Sequence, residues 1–295
     1  MSVEKKHKEL SALVRLLDEP NETIFTKIKQ QIFLYGQEAI PALEDAWENS
    51  FDQIIQQRSL NLIHEIQFED TYLSLHNWAH FQFDDLLLGY LIVSRFNYPD
   101  LDRDKLMRQT AKIIQDVWLE LNNNLTGLEK IKVINHVVFD LYQFRNNKKN
   151  FYAPENFFLN NLLDTKVGNP ISLSILYLII CRSLKIPVYG VNLPKHFILA
   201  YMDELAISLG EAGKNDVLFY LNPYNGGKVF TKNEIELFLK QMKLPAKEAY
   251  YLPCDNITII RRLIEDMKTA YTKMGYPEKL TELNRLLGAL SVNDG

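Results

Sequence analysis

One stretch decides most of what this chain can fold into. Across residues 170–185 apolar side chains occupy nearly every side of a helical wheel: Ile171, Leu173, Ile175, Leu176, Leu178, Ile179, Ile180, Cys181 and Leu184. A surface helix keeps one polar side, so a helix that is apolar all round has to be enclosed by other elements. Its start is written in Asn169-Pro170, because Asn is a favoured N-cap and Pro suits a first helical position, where an N–H would have no partner anyway. Its end is written in Ile186-Pro187. The longest uninterrupted apolar run, residues 175–181, is far short of the ~20 residues that cross a bilayer, so the medium around the helix is expected to be protein. With 295 residues, 47% of them hydrophobic and 24% charged, the rest of the chain has the material for that shell.

The sequence before the central helix reads as helical. Leu34, Ile40, Leu43 and Trp47 are punctuated by Gly36 and Pro41, and Ile55, Leu60 and Ile63 give a second helix over about 51–66. Together they are similar to one unit of a HEAT-type repeat, which needs neighbours to bury its faces. A buried helix is expected over 83–95, and an amphipathic one behind the Asp102 cap carries Leu106, Ile113, Val117 and Trp118. Another covers 127–141, and the polar residues 145–150 read as a loop. Beyond Pro187 the runs 188–193, 197–202 and 217–221 are short, aromatic and β-branched, as in an antiparallel sheet. Residues 257–290 read as a helical hairpin of tetratricopeptide-like size, broken at Gly275-Tyr276-Pro277. The fold class is α+β and helix-rich. The expected division is an N-terminal helical segment over 1–75, a core over 76–255 and the hairpin over 256–295.

The segment around the central helix resembles the SirB1-type branch of the transglutaminase-like superfamily. The resemblance rests on Tyr152, Pro154 and Asn156; on Gly168, Pro170 and Leu173; on Gly190, Val191, Pro194, His196 and Phe197; and on the turn Asn225-Gly226-Gly227. It covers about residues 83–290 and is most specific over 150–227. It implies a papain-like core in which a buried helix starts at a nucleophilic Cys, a His opens one strand and an Asp follows the next. Here Pro170 stands in the Cys position and Asn222 in that of the Asp, while His196 is kept.

The loss is chemical as well as formal. A helix N-terminus lowers a thiol pKa, and a nearby His completes its activation; proline preserves the helix start and removes the sulfur. Cys181 is about 16 Å further along the same helix, and Ser172 is about 200° round it from Pro170. Ser174 shares the face of Pro170 one turn deeper, and nothing in the sequence brings Cys254 to His196. An Asn can orient a His, so His196 and Asn222, at the ends of neighbouring strands, are expected to form either a residual polar site or a hydrogen-bonded pair with a structural role. The resulting expectation is a non-catalytic transglutaminase-like protein that binds a protein or peptide, its old cleft marked by Asn156, Asn169, Ser174, Pro194 and Tyr224. The alternative is a hydrolase or acyltransferase with a relocated nucleophile (Ser172, Ser174 or Cys254) and His196 as base. A third reading is a scaffold whose cleft is filled.

Other features are read more plainly. His76, His80 and Asp84 have metal-ligand spacing on a helix but no Cys or Glu cluster after them, so no metal and no cofactor are expected. Asn225-Gly226-Gly227 reads as a turn before an anion cradle. Phe151, Tyr152, Phe157 and Phe158 read as core packing first and as a peptide groove second. The charges of 228–247 read as a solvated helix face. A net charge of −4 without a basic stripe speaks against nucleic acid. Two cysteines and no signal-like apolar stretch at the start suggest a cytoplasmic protein with no membrane partner.

Overall fold

The computed structural model describes residues 3–204 and 216–291. The chain divides into two compact units, residues 1–74 and 75–295, and the boundary falls within the helix Gln53–Phe81.

The first unit is helical, built from Val3–Val14, Glu22–Phe33, Ile40–Asn49 and the first part of Gln53–Phe81. Leu10, Leu17, Ile32, Ala39, Leu43 and Leu62 form its core. Asn21 caps the second helix, its Oδ1 accepting from the N–H of Thr23 at 3.0 Å. Gly36 takes a φ of 53° just before Pro41 sits in the first turn of the third, which accounts for both punctuation marks in the sequence. Gln53–Phe81 runs well past the 66 expected from sequence, because neither Gly nor Pro interrupts it. His76 and His80 therefore share a helix face, with rings stacked at 4.1 Å and His80 Nδ1 2.8 Å from the carbonyl of His76.

In the second unit the central helix spans Pro170–Ser183, and every residue from Ile171 to Cys181 is buried. Its shell includes Leu86–Ser94, capped by Asp85, and Arg103–Glu120, capped by Asp102, whose Oδ1 accepts from Lys105 N at 2.9 Å. Gly127–Asn135 opens with a Thr126/Glu129 capping box and then widens into a π-helical turn, His136–Leu141. Within the expected loop over 145–150, Arg145–Asn146 (β1) pairs in parallel with Val167–Gly168 (β2). Two residues are too few to leave an alternating pattern, so this pair had no signature. The hairpin Asn256–Met274 and Pro277–Ala289 completes the shell.

The main sheet is antiparallel, in the order β3 (Val188–Leu193), β4 (His196–Met202), β5 (Val217–Asn222) and β6 (Lys228–Phe230). The last strand corrects the reading of 228–247 as helix face throughout: the Asn225-Gly226-Gly227 turn returns the chain along β5 before the helix Lys232–Gln241 begins. Ile198, Ala200 and Met202 pack on Ile235 and Leu239 of that helix. Phe197, Leu199 and Tyr201 point to the other face, toward the central helix and Asn256–Met274. The result is a helix-rich α+β unit with one buried helix against a small sheet. Among the described residues no helix is long and apolar enough to cross a membrane.

Candidate functional site

The start of the central helix is built from short-range chemistry. Asn169 Oδ1 accepts from Ser172 N at 2.9 Å, and Ser172 Oγ accepts from Asn169 N at 3.0 Å, closing a capping box around Pro170. Gly168 has to be glycine, since a Cβ there would lie 2.7 Å from Ser172 Oγ and 2.8 Å from Leu162 Cδ1. The motif Gly-Asn-Pro-x-Ser thus explains itself as a helix start.

That start forms one wall of a cleft of about 540 Å³. Asn169 and Pro170 face the helix Asn256–Met274, which contributes Arg262, Glu265, Asp266 and Thr269. These four recur at the i, i+3, i+4, i+7 spacing of one helix face. Phe197 and Lys195 close the side of the sheet, and Phe151, Tyr152 and Phe157 the remaining side. Arg262 is held in place, donating to Asp266 Oδ1 at 2.9 Å, Asn192 Oδ1 at 2.7 Å and the carbonyl of Leu193 at 3.3 Å. Burial pushes the Asp266 carboxyl above its usual range, against the opposing pull of Arg262. Lys195 sits at the β3–β4 turn with a φ of 63°, following Pro194 as in a type II turn.

The register of that hairpin decides where His196 goes. Leu193 pairs with His196 and Asn192 with Phe197. Asn192 is bound to Arg262 on the cleft side, whereas Leu193 belongs to the cluster around Ile235 and Leu239. His196 therefore lies on the face away from the central helix, its exposed ring edge-on to Phe238 at 4.9 Å. Partial burial, and then the charge of Arg262, lower its pKa below the ordinary imidazole value. Asn222 falls on the same face as Tyr220 by strand alternation, and its Oδ1 accepts from Tyr224 N at 3.0 Å. Among the described residues no hydrogen bond joins His196 to Asn222.

The other residues singled out from sequence scatter. Asn156 is buried, accepting from Asn147 Nδ2 at 3.0 Å and donating to the Asn150 carbonyl at 2.8 Å, and so pins the loop that carries Phe151 and Tyr152. Tyr224 turns its ring edge-on to Phe151 at 6.0 Å, and its carbonyl accepts from Asn146 Nδ2 at 2.8 Å. Ser174 is fully enclosed, and its hydroxyl has no hydrogen-bond partner among the described residues. Both functions of the Ser172 hydroxyl are used on Asn169. Cys181 is buried, which pushes its thiol pKa up, and burial with Asp255 nearby pushes that of Cys254 up to about 12. Of the aromatic quartet, Phe157 and Phe158 are core, while Phe151 and Tyr152 are exposed along the cleft, with Lys273 Nζ 3.5 Å above the Tyr152 ring. The sequence reading does not single out Lys195, Arg262, Glu265, Asp266 or Thr269; the polar face of the hairpin helix was the available signal.

A capped, buried helix set against an antiparallel sheet, with a cleft at its start, defines a transglutaminase-like core. The model of the transglutaminase-like superfamily matches residues 104–265, and the chain belongs to that superfamily. Its relatives include the UPF0162, or SirB1-like, proteins. It is 25% identical to one from Xylella fastidiosa (strain 9a5c) over 192 residues, 63% of this chain and 64% of that protein. It is 25% identical to one from Buchnera aphidicola subsp. Acyrthosiphon pisum over 225 residues, 75% and 80% of the two chains. A third relative, F-box only protein 21 of Mus musculus, is 32% identical over 218 residues, 72% of this chain and 31% of that protein. The match thus spans less than two thirds of the Xylella protein and about a third of the F-box protein. No solved structure matches the chain.

Proposed function

We propose that this chain is a non-catalytic transglutaminase-like protein whose cleft at the start of the central helix receives a protein or peptide segment. The observation that carries the reading is a double replacement at one place. Pro170 stands where the superfamily's nucleophile would be, and Phe197, not His196, points into the cleft beside it. A nucleophile and its base have to come within hydrogen-bond reach, and here both ends of that pair are missing from the cleft. The candidates for a relocated nucleophile have the wrong chemistry: Ser172 is committed to its cap, Ser174 is enclosed, and burial disfavours both thiolates. What remains is a pocket with aromatic side chains at one side and charged ones at the other, a composition suited to holding a polypeptide. In this reading the C-terminal hairpin is a repeat-like flank of the recognition surface, and the protein acts in the cytoplasm.

The test is to put the sulfur back. Pro170→Cys should fold and, even with a thiol acidified by the helix start, should not accumulate an acyl-enzyme with p-nitrophenyl acetate. A burst of nitrophenolate would mean that a base reaches the cleft, and the non-catalytic reading would fail.

A further inference from the structure

Resting on that reading and deepening it, we propose that Lys273 is the anchoring cation of the cleft, seated on the Tyr152 ring and set to take a carboxylate of an acidic peptide. The Lys273 ammonium lies 3.5 Å from the centroid of the Tyr152 ring, and Tyr152 lines the cleft. Both side chains are exposed, so the contact is open to a ligand. Lys273 follows Arg262, Asp266 and Thr269 at steps of four, three and four residues, and so continues the helix face that the cleft uses. A Lys in the last turn suits any helix C-terminus, but the dipole gives no reason for its ammonium to lie on a ring. The residues three and four before it are Ala270 and Thr269, so the helix offers it no carboxylate. Among the described residues no hydrogen bond or ion pair engages it. An aromatic face attracts the charge and leaves N–H donors of the ammonium for another partner. What the ring supplies is position: a lysine already seated has less rotamer freedom to lose when a ligand arrives.

The surrounding charges select the sign of the occupant. Lys195, Arg262 and Lys273 stand against Glu265 and Asp266, three cations against two carboxylates. Their distribution along the helix is uneven. Arg262 and Asp266 are bound to each other at 2.9 Å. At 1.5 Å per residue, Glu265 and Asp266 lie about 10–12 Å along the helix axis from Lys273, beyond the ~8 Å screening length at physiological salt. Glu155 and Glu282 act on Tyr271, about 200° round the helix from Lys273. The loop before Phe151 exposes two more cations, Lys148 and Lys149. The Tyr152 end of the cleft is therefore positive. Phe151, exposed and edge-on to Tyr152 at 5.0 Å, adds an apolar surface beside it. The occupant that fits both is a short extended segment with a carboxylate next to an aromatic side chain, and about 540 Å³ has room for a few such residues. That carboxylate belongs either to an acidic side chain or to the C-terminus of a chain.

Two probes carry the two kinds of carboxylate, N-acetyl-aspartyl-phenylalaninamide and N-acetyl-phenylalanine. Their neutral counterparts are N-acetyl-asparaginyl-phenylalaninamide and N-acetyl-phenylalanine methylamide. Each is titrated into the uniformly ¹⁵N-labelled protein, with the backbone amides of Tyr152, Lys195 and Thr269 as reporters. A carboxylate probe should shift these amides saturably, and its neutral counterpart should need roughly tenfold more. A response to the aspartyl probe alone assigns the ligand as an acidic side chain, and a response to N-acetyl-phenylalanine alone assigns it as a chain terminus. Lys273→Gln should raise the Kd of the carboxylate probe about tenfold and leave that of the neutral one unchanged. Tyr152→Phe, which keeps the ring face, should bind as wild type does, whereas Tyr152→Leu should bind about threefold more weakly. All three variants change exposed side chains and should unfold at the wild-type temperature, which separates lost binding from lost folding. Equal binding of charged and neutral probes, or full affinity in Lys273→Gln, overturns the anchoring role and leaves the cleft reading standing. Full affinity in Tyr152→Leu overturns the part given to the ring. If no cleft amide responds to any probe, the anchor and the cleft reading both fall.

Discussion

Two of the motifs that carry the likeness to one superfamily end in opposite states. At the turn Asn225-Gly226-Gly227 polar groups are used up. Asn135 Oδ1 accepts from the Tyr177 hydroxyl at 2.9 Å, Asn135 Nδ2 donates to the Gly227 carbonyl at 3.1 Å, and Gly227 N donates to the Asn222 carbonyl at 3.0 Å. At the helix start, Gly168-Asn169-Pro170, half of the Asn169 amide is spent on the cap and half is not. A recognisable motif can therefore be an instruction for folding or a reserve for binding. The valence left over after folding tells the two apart, and the letters of the motif do not.

The largest effect should come from the closed side. Gly227 has a φ of 69°, and a Cβ there would lie 2.0 Å from Asn135 Oδ1. Gly227→Ala should cost about 3 kcal/mol or more by urea denaturation, because backbone strain and a clash inside a hydrogen-bonded network add. Gly226 has a similar φ of 66° with nothing within 4 Å, so Gly226→Ala should cost only the backbone share, about 1 kcal/mol. Equal costs would mean that Asn135 gives way easily and that the closed network is loose. On the open side, Asn169→Ala should lose about 1 kcal/mol of cap, while Asn169→Ser, which keeps a cap oxygen without burying a charge, stays within a few tenths. A large loss in the Ser variant would show the unspent amide to be structural after all.

The smallest effect belongs to His196 and appears as a pH dependence. Its folded pKa lies below the ordinary value, so between the two pKa values the unfolded chain binds more protons. Stability should accordingly fall as pH drops through the ordinary imidazole range toward the folded pKa, and His196→Ala should remove that part of the fall. An increase in wild-type stability toward acid that depends on His196 would mean that the ring has found an anionic partner, such as Glu265 or Asp266, and has turned to the cleft.

Local signals were the legible ones. Asn169, Pro170 and Asp102 announce their helix starts because a cap is a matter of three or four adjacent residues. The direction of His196 was not legible. Whether residue 196 or 197 points to the cleft is a question of parity, set by the Pro194-Lys195 turn that pairs Leu193 with His196. A one-residue change in that register would exchange the two faces. Arg262, Glu265, Asp266 and Thr269 show as one polar face, but only the packed structure says what that face looks upon. Arg145–Asn146 and Lys228–Phe230 are too short for any periodicity to register.

Asn256, at the head of the hairpin helix, donates to the carbonyls of Phe83 at 2.8 Å and Asp84 at 3.0 Å, and so joins points 173 residues apart. At a synthesis rate of about 5–20 residues per second, roughly 10–35 s pass on the ribosome between making the first of these points and the second. For the last part of that interval, about 4–14 s between residue 185 and Asn256, the apolar central segment is already made while part of its covering is not. The second unit is thus committed to late closure during its own synthesis, with a nascent apolar segment to shelter until Asn256 arrives.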